Sequence, residues 1–203
     1  MTQRYYFIVK FLLEDVDAGL LAGRCISTLH GFINNNLTGK NQVGVSFPLW
    51  SDDTLGNAVA FVADDKELLI GLSFQPYFSL MKSEELFDLS PVVPVPTDLP
   101  EIRFVRNQTI GKSFLGSKRR RMKRAQSRAE TMGKLITPQP NEEREFELFH
   151  RVPLTSKSTG EEMMLHVQKQ SNVEVVDTNF NAYGLATNQA WKGTVPDLKN
   201  AML

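Results

Sequence analysis

The chain's 203 residues allow one large domain or two small ones, enough to bury a real core. Apolar and charged content are those of an ordinary soluble chain, and no run approaches the roughly eighteen apolar residues of a membrane span. The single cysteine, Cys25, excludes an internal disulfide and fits a reducing, cytoplasmic setting, while a net charge of zero hides ten cations between Arg103 and Arg128 with no acid among them.

Residues 4–12, RYYFIVKFL, predict a strand, and their near-continuous apolar run predicts burial on both faces. Acidic Glu14 and Asp15 follow without a small-residue cleavage site, so a strand is expected there rather than a signal peptide. Residues 16–34 predict a helix. Leu21, Cys25, Leu29 and Phe32/Ile33 recur at helical spacing, Asp15 or Asp17 caps the start, and Asn34-Asn35-Asn36 ends it. Residues 42–47 predict a strand stopped by Pro48, and residues 57–62 another. Asp64 is expected to cap a second helix bearing Leu68, Leu69 and Leu72, with Glu67 placed as in a capping box. The prolines of residues 90–96, SPVVPVP, fit an edge strand. The order β-α-β-β-α-β is that of a ferredoxin-like domain, residues 1–100, in a chain of the α+β class.

A smaller α/β domain is expected over residues 101–203. Residues 102–108, IRFVRNQ, predict a strand or extended linker, and residues 115–132 a basic helix, free of Gly and Pro from Gly116 to Gly133. A polar linker over 137–147 precedes β-like stretches at 149–155, 162–168 and 172–176. On the basic helix Arg120 and Arg124 are neighbours one turn apart, and like charges at that spacing repel by a few tenths of a kcal/mol per pair. Such a helix wants an anionic partner. Met122 is almost its only bulky apolar residue, so it lacks the face that enters lipid, and no membrane partner is expected. Nucleic acid remains, and charge alone does not separate DNA from RNA. Arg106 and Gln108, on one side of the preceding strand, suit edge-on contacts with guanine and adenine.

No metal-ligand cluster and no phosphate-binding glycine loop can be read from the sequence, so no cofactor is expected. RNA cleavage needs neither, because a ribose 2′-OH can attack its own phosphate if a base takes its proton and cations hold the developing charge. His30, at the edge of the apolar stripe of the first helix, is a candidate base. Ser156 and Ser158, in the hydroxyl-rich turn TSKSTG, could hold a ribose, and Tyr183 could orient an imidazole. Each also has an ordinary reading as a surface, turn or core residue.

Taken in order, Leu29-His30, GVSFP at 44–48, VVP at 92–94, Arg106-x-Gln108, the arginine-rich helix, S-x-S-T-G at 156–160 and YGL at 183–185 resemble the hairpin-processing endoribonucleases of type I-F CRISPR systems, the Csy-type family. The resemblance implies a metal-independent enzyme that cuts a repeat stem-loop of precursor crRNA at the 3′ base of the stem. It leaves a 2′,3′-cyclic phosphate and stays on its product as an effector-complex subunit. By position His30 matches the catalytic histidine, Ser156 the serine that restrains the ribose, and Tyr183 the tyrosine that positions the histidine. Arg106 and Gln108 match purine readers. Arg120 and Arg124, joined by Arg119 and Lys123, match the arginines that line the stem's major groove. A slip of two places exchanges Ser156 for Ser158. Met163 stands where some relatives carry a stacking aromatic, which predicts weaker stacking or stacking supplied elsewhere. GVSFPLW and the terminal region resemble transposon-encoded versions that also dock a transposition-targeting protein. A crRNA-binding subunit that has lost catalysis, and a basic-helix DNA-binding protein, are the competing expectations.

Overall fold

A computed structural model describes residues 3–13, 16–36, 41–113, 115–133, 146–155, 160–176 and 178–202. The protein is of mixed α+β build, with two five-stranded sheets among the described residues. Strand β1 (Tyr5–Phe11) is an inner strand of the first sheet, with Phe7 and Val9 wholly buried, as its unbroken apolar run requires. It pairs antiparallel with β3 (Ala58–Ala63) along one edge and with β4 (Phe87–Leu89) and β5 (Val93–Pro94) along the other, and β2 (Gly44–Ser46) lies outside β3. Phe7 stacks on Phe61 across the β1–β3 ladder at 5.1 Å, and Phe78 closes on both.

Helix α1 (Ala18–Asn35) starts at Asp17, whose carboxylate accepts from the Leu20 N–H at 2.9 Å. Its stripe of Ala22, Cys25, Ile26, Leu29 and Ile33 is buried. The expected second helix differs in two ways. Asp65, not Asp64, is its cap, accepting from Leu68 N at 3.1 Å, so the box geometry built on Asp64 does not form. The helix also stops at Ser73, and a separate one follows: α2 is Lys66–Ser73 and α3 is Pro76–Ser83. Pro76 forces Gln75 into extended backbone, breaking the first helix and opening the second at its first position. Of the expected 90–96 strand only Val93–Pro94 pairs with β1. Ser90 lies between β4 and β5, its hydroxyl accepting from Ile8 N at 2.9 Å.

The second sheet runs β10-β6-β8-β7, with β9 parallel to β6. Its strands are β6 (Glu101–Arg106), β7 (His150–Thr155), β8 (Glu162–Gln170), β9 (Ala186–Thr187) and β10 (Val195–Pro196). Two expectations fail here. Residues 172–176 form no strand, and Val176 instead exchanges bonds with Thr194. Gln108 is not on a strand: β6 ends at Arg106, and Gln108 opens a short helix, α4 (Gln108–Ser113). The cause is Asn107, whose side-chain oxygen accepts from the Thr109 N–H at 3.0 Å and starts that helix. Helix α5 (Leu115–Met132) follows with the bounds its charge run predicts. The 137–145 part of the expected linker lies outside the described residues.

Helix α1 lies against β7 through two glycines. A Cβ on Gly23 would stand 1.9 Å from the Pro153 carbonyl oxygen, and one on Gly19 2.7 Å from that of Arg151. One buried apolar cluster therefore runs from Phe7 and Phe61 through Ile26 and Leu29 to Val152, Leu165 and Val195.

Candidate active site

His30 lies in the last turns of α1, half-buried, next to wholly buried Leu29. Its surroundings come from the segment Asn181–Leu185. The Asn181 side-chain oxygen accepts from Tyr183 N at 2.8 Å and Leu185 N at 3.3 Å, folding this segment into a tight turn. Gly184 takes φ +72°, and a Cβ there would meet Val45 Cγ2 at 2.5 Å and Leu29 Cδ2 at 2.8 Å. Its carbonyl accepts from Val45 N at 2.8 Å. The glycine is thus the seat on which the turn rests against α1 and β2, and three separate motifs, LH, GVSF and YGL, meet at it.

The seated turn fixes the imidazole. His30 Nδ1 lies 3.0 Å from the Ala182 carbonyl oxygen, which can only accept, so Nδ1 carries the proton and donates. Nε2 is left with its lone pair, and the Asn34 side-chain amide donates to it at 3.1 Å. The Tyr183 ring stacks on the imidazole with centroids 4.6 Å apart and planes 15° apart. The arrangement presents an oriented imidazole whose Nε2 faces an exposed side chain.

Arg106 joins the group from the end of β6. Its guanidinium lies over the Tyr183 ring, 5.0 Å from the centroid, and donates to the Met163 sulfur at 3.5 Å. Burial pulls this guanidinium below the usual arginine value, and Tyr183 acts in the opposite direction. His30, Tyr183, Arg106 and Met163 therefore form one contiguous set. Gln108 is exposed at the start of α4 and does not share a strand face with Arg106. Behind Arg106, Asn107 donates to the Gln168 side-chain oxygen at 2.8 Å, and Gln168 donates to the Glu147 carbonyl at 3.1 Å, tying the root of α4 to β8.

Arg119, Arg120, Lys123 and Arg124 all fall on α5. The side chains of Lys123 and Arg124 are exposed, and among the described residues no carboxylate forms an ion pair with either. Residues 122–128 of this helix are exposed throughout, Met122 included at 69%. Ser156 and Ser158 lie outside the described residues, between Thr155 of β7 and Gly160. The other histidines are elsewhere. His150 donates to the Ser51 carbonyl at 2.8 Å, and His166 is buried beside Gly111 of α4. Among the described residues no three His, Cys, Asp or Glu side chains gather where they could hold a metal ion, and no helix is long and apolar enough to cross a membrane.

Residues 6–198 match the model of the family described as CRISPR-associated protein (Cas_Csy4). The chain belongs to the Csy4 family. This is a family of CRISPR crRNA-processing endoribonucleases, and its match spans both sheets, from β1 to the last turn of the chain. A search of curated sequences returns no relative. Among solved structures, one described as a chlorite dismutase covers 84% of this chain and 80% of its own at 11% identity, with a TM-score of 0.29, too slight a likeness to argue from. Sequence reasoning alone missed three parts of this candidate site: the Ala182 carbonyl, the Arg106–Met163 contact and Asn34. Only the last left a signal, since it stands four residues after His30 on one helix face.

Proposed function

We propose that this chain binds a CRISPR repeat stem-loop in precursor crRNA and cuts it without a metal at the 3′ base of the stem, through attack of a ribose 2′-hydroxyl. The observation that carries the reading is the state of His30. Its Nδ1–H is spent on the Ala182 carbonyl and its ring is stacked on Tyr183, so Nε2 is a positioned proton acceptor. The 2′-OH proton passes to Nε2, the 2′-oxygen bonds to phosphorus, and the bond to the 5′-oxygen breaks. That oxygen takes a proton from water, and the imidazolium returns its own to solvent. The products are a 2′,3′-cyclic phosphate and a 5′-hydroxyl.

Each remaining residue has a part in this reading. Ser156, or Ser158, restrains the ribose. Arg106 and Gln108 read purines near the stem base, and Met163 packs there where an aromatic would stack. Arg119, Arg120, Lys123 and Arg124 hold the stem through α5, and the exposure of Lys123 and Arg124 supports this placement. A-form major grooves are deep and narrow, so a helix reaches in only beside the open end of a short stem, which fits a small hairpin. In this reading residues 1–100 form a ferredoxin-like unit, consistent with the sheet order β2-β3-β1-β4. Residues 101–203 form the RNA-binding unit, and the protein stays on its product within an effector complex.

The test is incubation of purified protein with repeat hairpin RNA in EDTA. The parent protein is expected to cut, with the product ending in a cyclic phosphate. His30→Ala should bind the hairpin and not cut it, and a 2′-deoxy nucleotide at the scissile position should block cutting by the parent. Undiminished cutting by His30→Ala overturns the proposal.

A further inference from the structure

One neighbour of His30 has no part in the reaction as set out above. Asn34 stands one turn beyond His30 on α1, exposed, with its amide nitrogen 3.1 Å from His30 Nε2. The helix does not need that side chain for its own ending. Asn36 is the cap residue, and its backbone N–H closes the last turn on the Ile33 carbonyl at 3.1 Å. With Nδ1 committed to Ala182 and a ring face covered by Tyr183, the Asn34 amide occupies the ring nitrogen that has to take the proton.

We infer that Asn34 is a substrate-contacting residue of the cleavage reaction: its amide holds the place of the ribose 2′-hydroxyl in the RNA-free chain and, displaced by that hydroxyl, donates to a non-bridging oxygen of the scissile phosphate. The inference rests on His30 acting as the base. The amide N–H points into the Nε2 lone pair as the ribose O–H must, so the two donors compete for one position. In a geometry ready to react, the 2′-oxygen lies roughly 3 Å from phosphorus. A phosphate oxygen therefore falls within reach of a side chain already touching Nε2. A neutral carboxamide carries two N–H donors and no charge to repel the phosphate. Being exposed, it turns away from the imidazole without disturbing the core. Negative charge grows on the phosphate oxygens as the 2′-oxygen closes, and a donor held there stabilises that charge more than the ground state.

The experiment measures single-turnover cleavage and hairpin affinity separately, using the repeat hairpin RNA with parent, Asn34→Ala, Asn34→Gln, Asn34→Asp and His30→Ala proteins. Asn34→Ala is expected to cut about ten- to a hundredfold more slowly, with hairpin Kd within about twofold of the parent. Asn34→Asp should be slower still, because it replaces a donor by a negative charge facing the phosphate. Asn34→Gln, which keeps the donor on a longer stem, should recover part of the rate. Retained hairpin affinity shows that each variant is folded. A parental or faster rate for Asn34→Ala overturns the inference, as does a parental rate for Asn34→Asp. A loss of rate matched by an equal loss of affinity overturns it too, since that describes a binding residue only. If instead His30→Ala cuts normally, the reading of His30 fails first and this inference falls with it.

Discussion

At the scale of single residues, the site is built by groups that each settle a neighbour's state. The Ala182 carbonyl decides the His30 tautomer, and Gly184 decides where that carbonyl stands. Elsewhere, His166 shows the same dependence on surroundings in its titration. Burial, and next the charge of Arg151, hold its imidazole below the ordinary value of 6.5. As pH falls, the unfolded chain takes up this proton before the folded one does. The folded state therefore has its full advantage above about pH 6.5 and loses it progressively as pH drops below that value. Urea midpoints at pH 7.5 and pH 5 should differ in that direction, and His166→Phe, placed against Phe149 at the buried position, should reduce the difference. An unaltered difference in the variant would assign the acid sensitivity to other groups. The residues of this scale that were legible in the sequence were those with a chemical signature of their own: His30, Tyr183 and Arg106. The Ala182 carbonyl has none, because any residue supplies one, and only the folded turn aims it.

At the scale of elements, legibility followed how strongly one local signal outweighed its rivals. The bounds of α5 were readable because its cations run without Gly or Pro, whereas α1, expected from residue 16 with Asp15 or Asp17 as its cap, starts at Ala18 with Asp17 as the cap. The start of α2 was misplaced by one residue because adjacent aspartates, Asp64 and Asp65, offer the same cap and only the fold selects between them. Gln108 was read as strand because Asn107 can either extend a strand or open a helix, and its bond to Gln168 on β8 is a tertiary contact. For α5 the run of cations leads to a salt test. Arg120→Ala with Arg124→Ala should weaken hairpin binding and reduce the slope of log Kd against log salt by about two. An unchanged slope would place the helix away from the phosphates.

At the scale of the whole molecule, the two sheets share one buried cluster, and α1 contacts a strand of each, β3 and β7. Gly23 is where this arrangement is least forgiving, since the Pro153 carbonyl leaves no room for a methyl group and belongs to backbone rather than to a movable side chain. Gly23→Ala should destabilise the protein by about 1–3 kcal/mol despite alanine's better helix propensity. The loss should show as one shifted urea transition, reported alike by the fluorescence of Trp50 and Trp191 and by far-ultraviolet circular dichroism. A midpoint equal to the parent's would mean that α1 and β7 can separate at no cost.

The described side chains of α5 from Met122 to Arg128 are turned to solvent. Substitutions there meet no packing constraint. If α5 grips the RNA as proposed, selection can therefore rewrite the helix's surface to follow a drifting repeat sequence while the scaffold that aims the imidazole stays as it is. On that proposal, RNA choice and the protein's endurance are separately heritable traits.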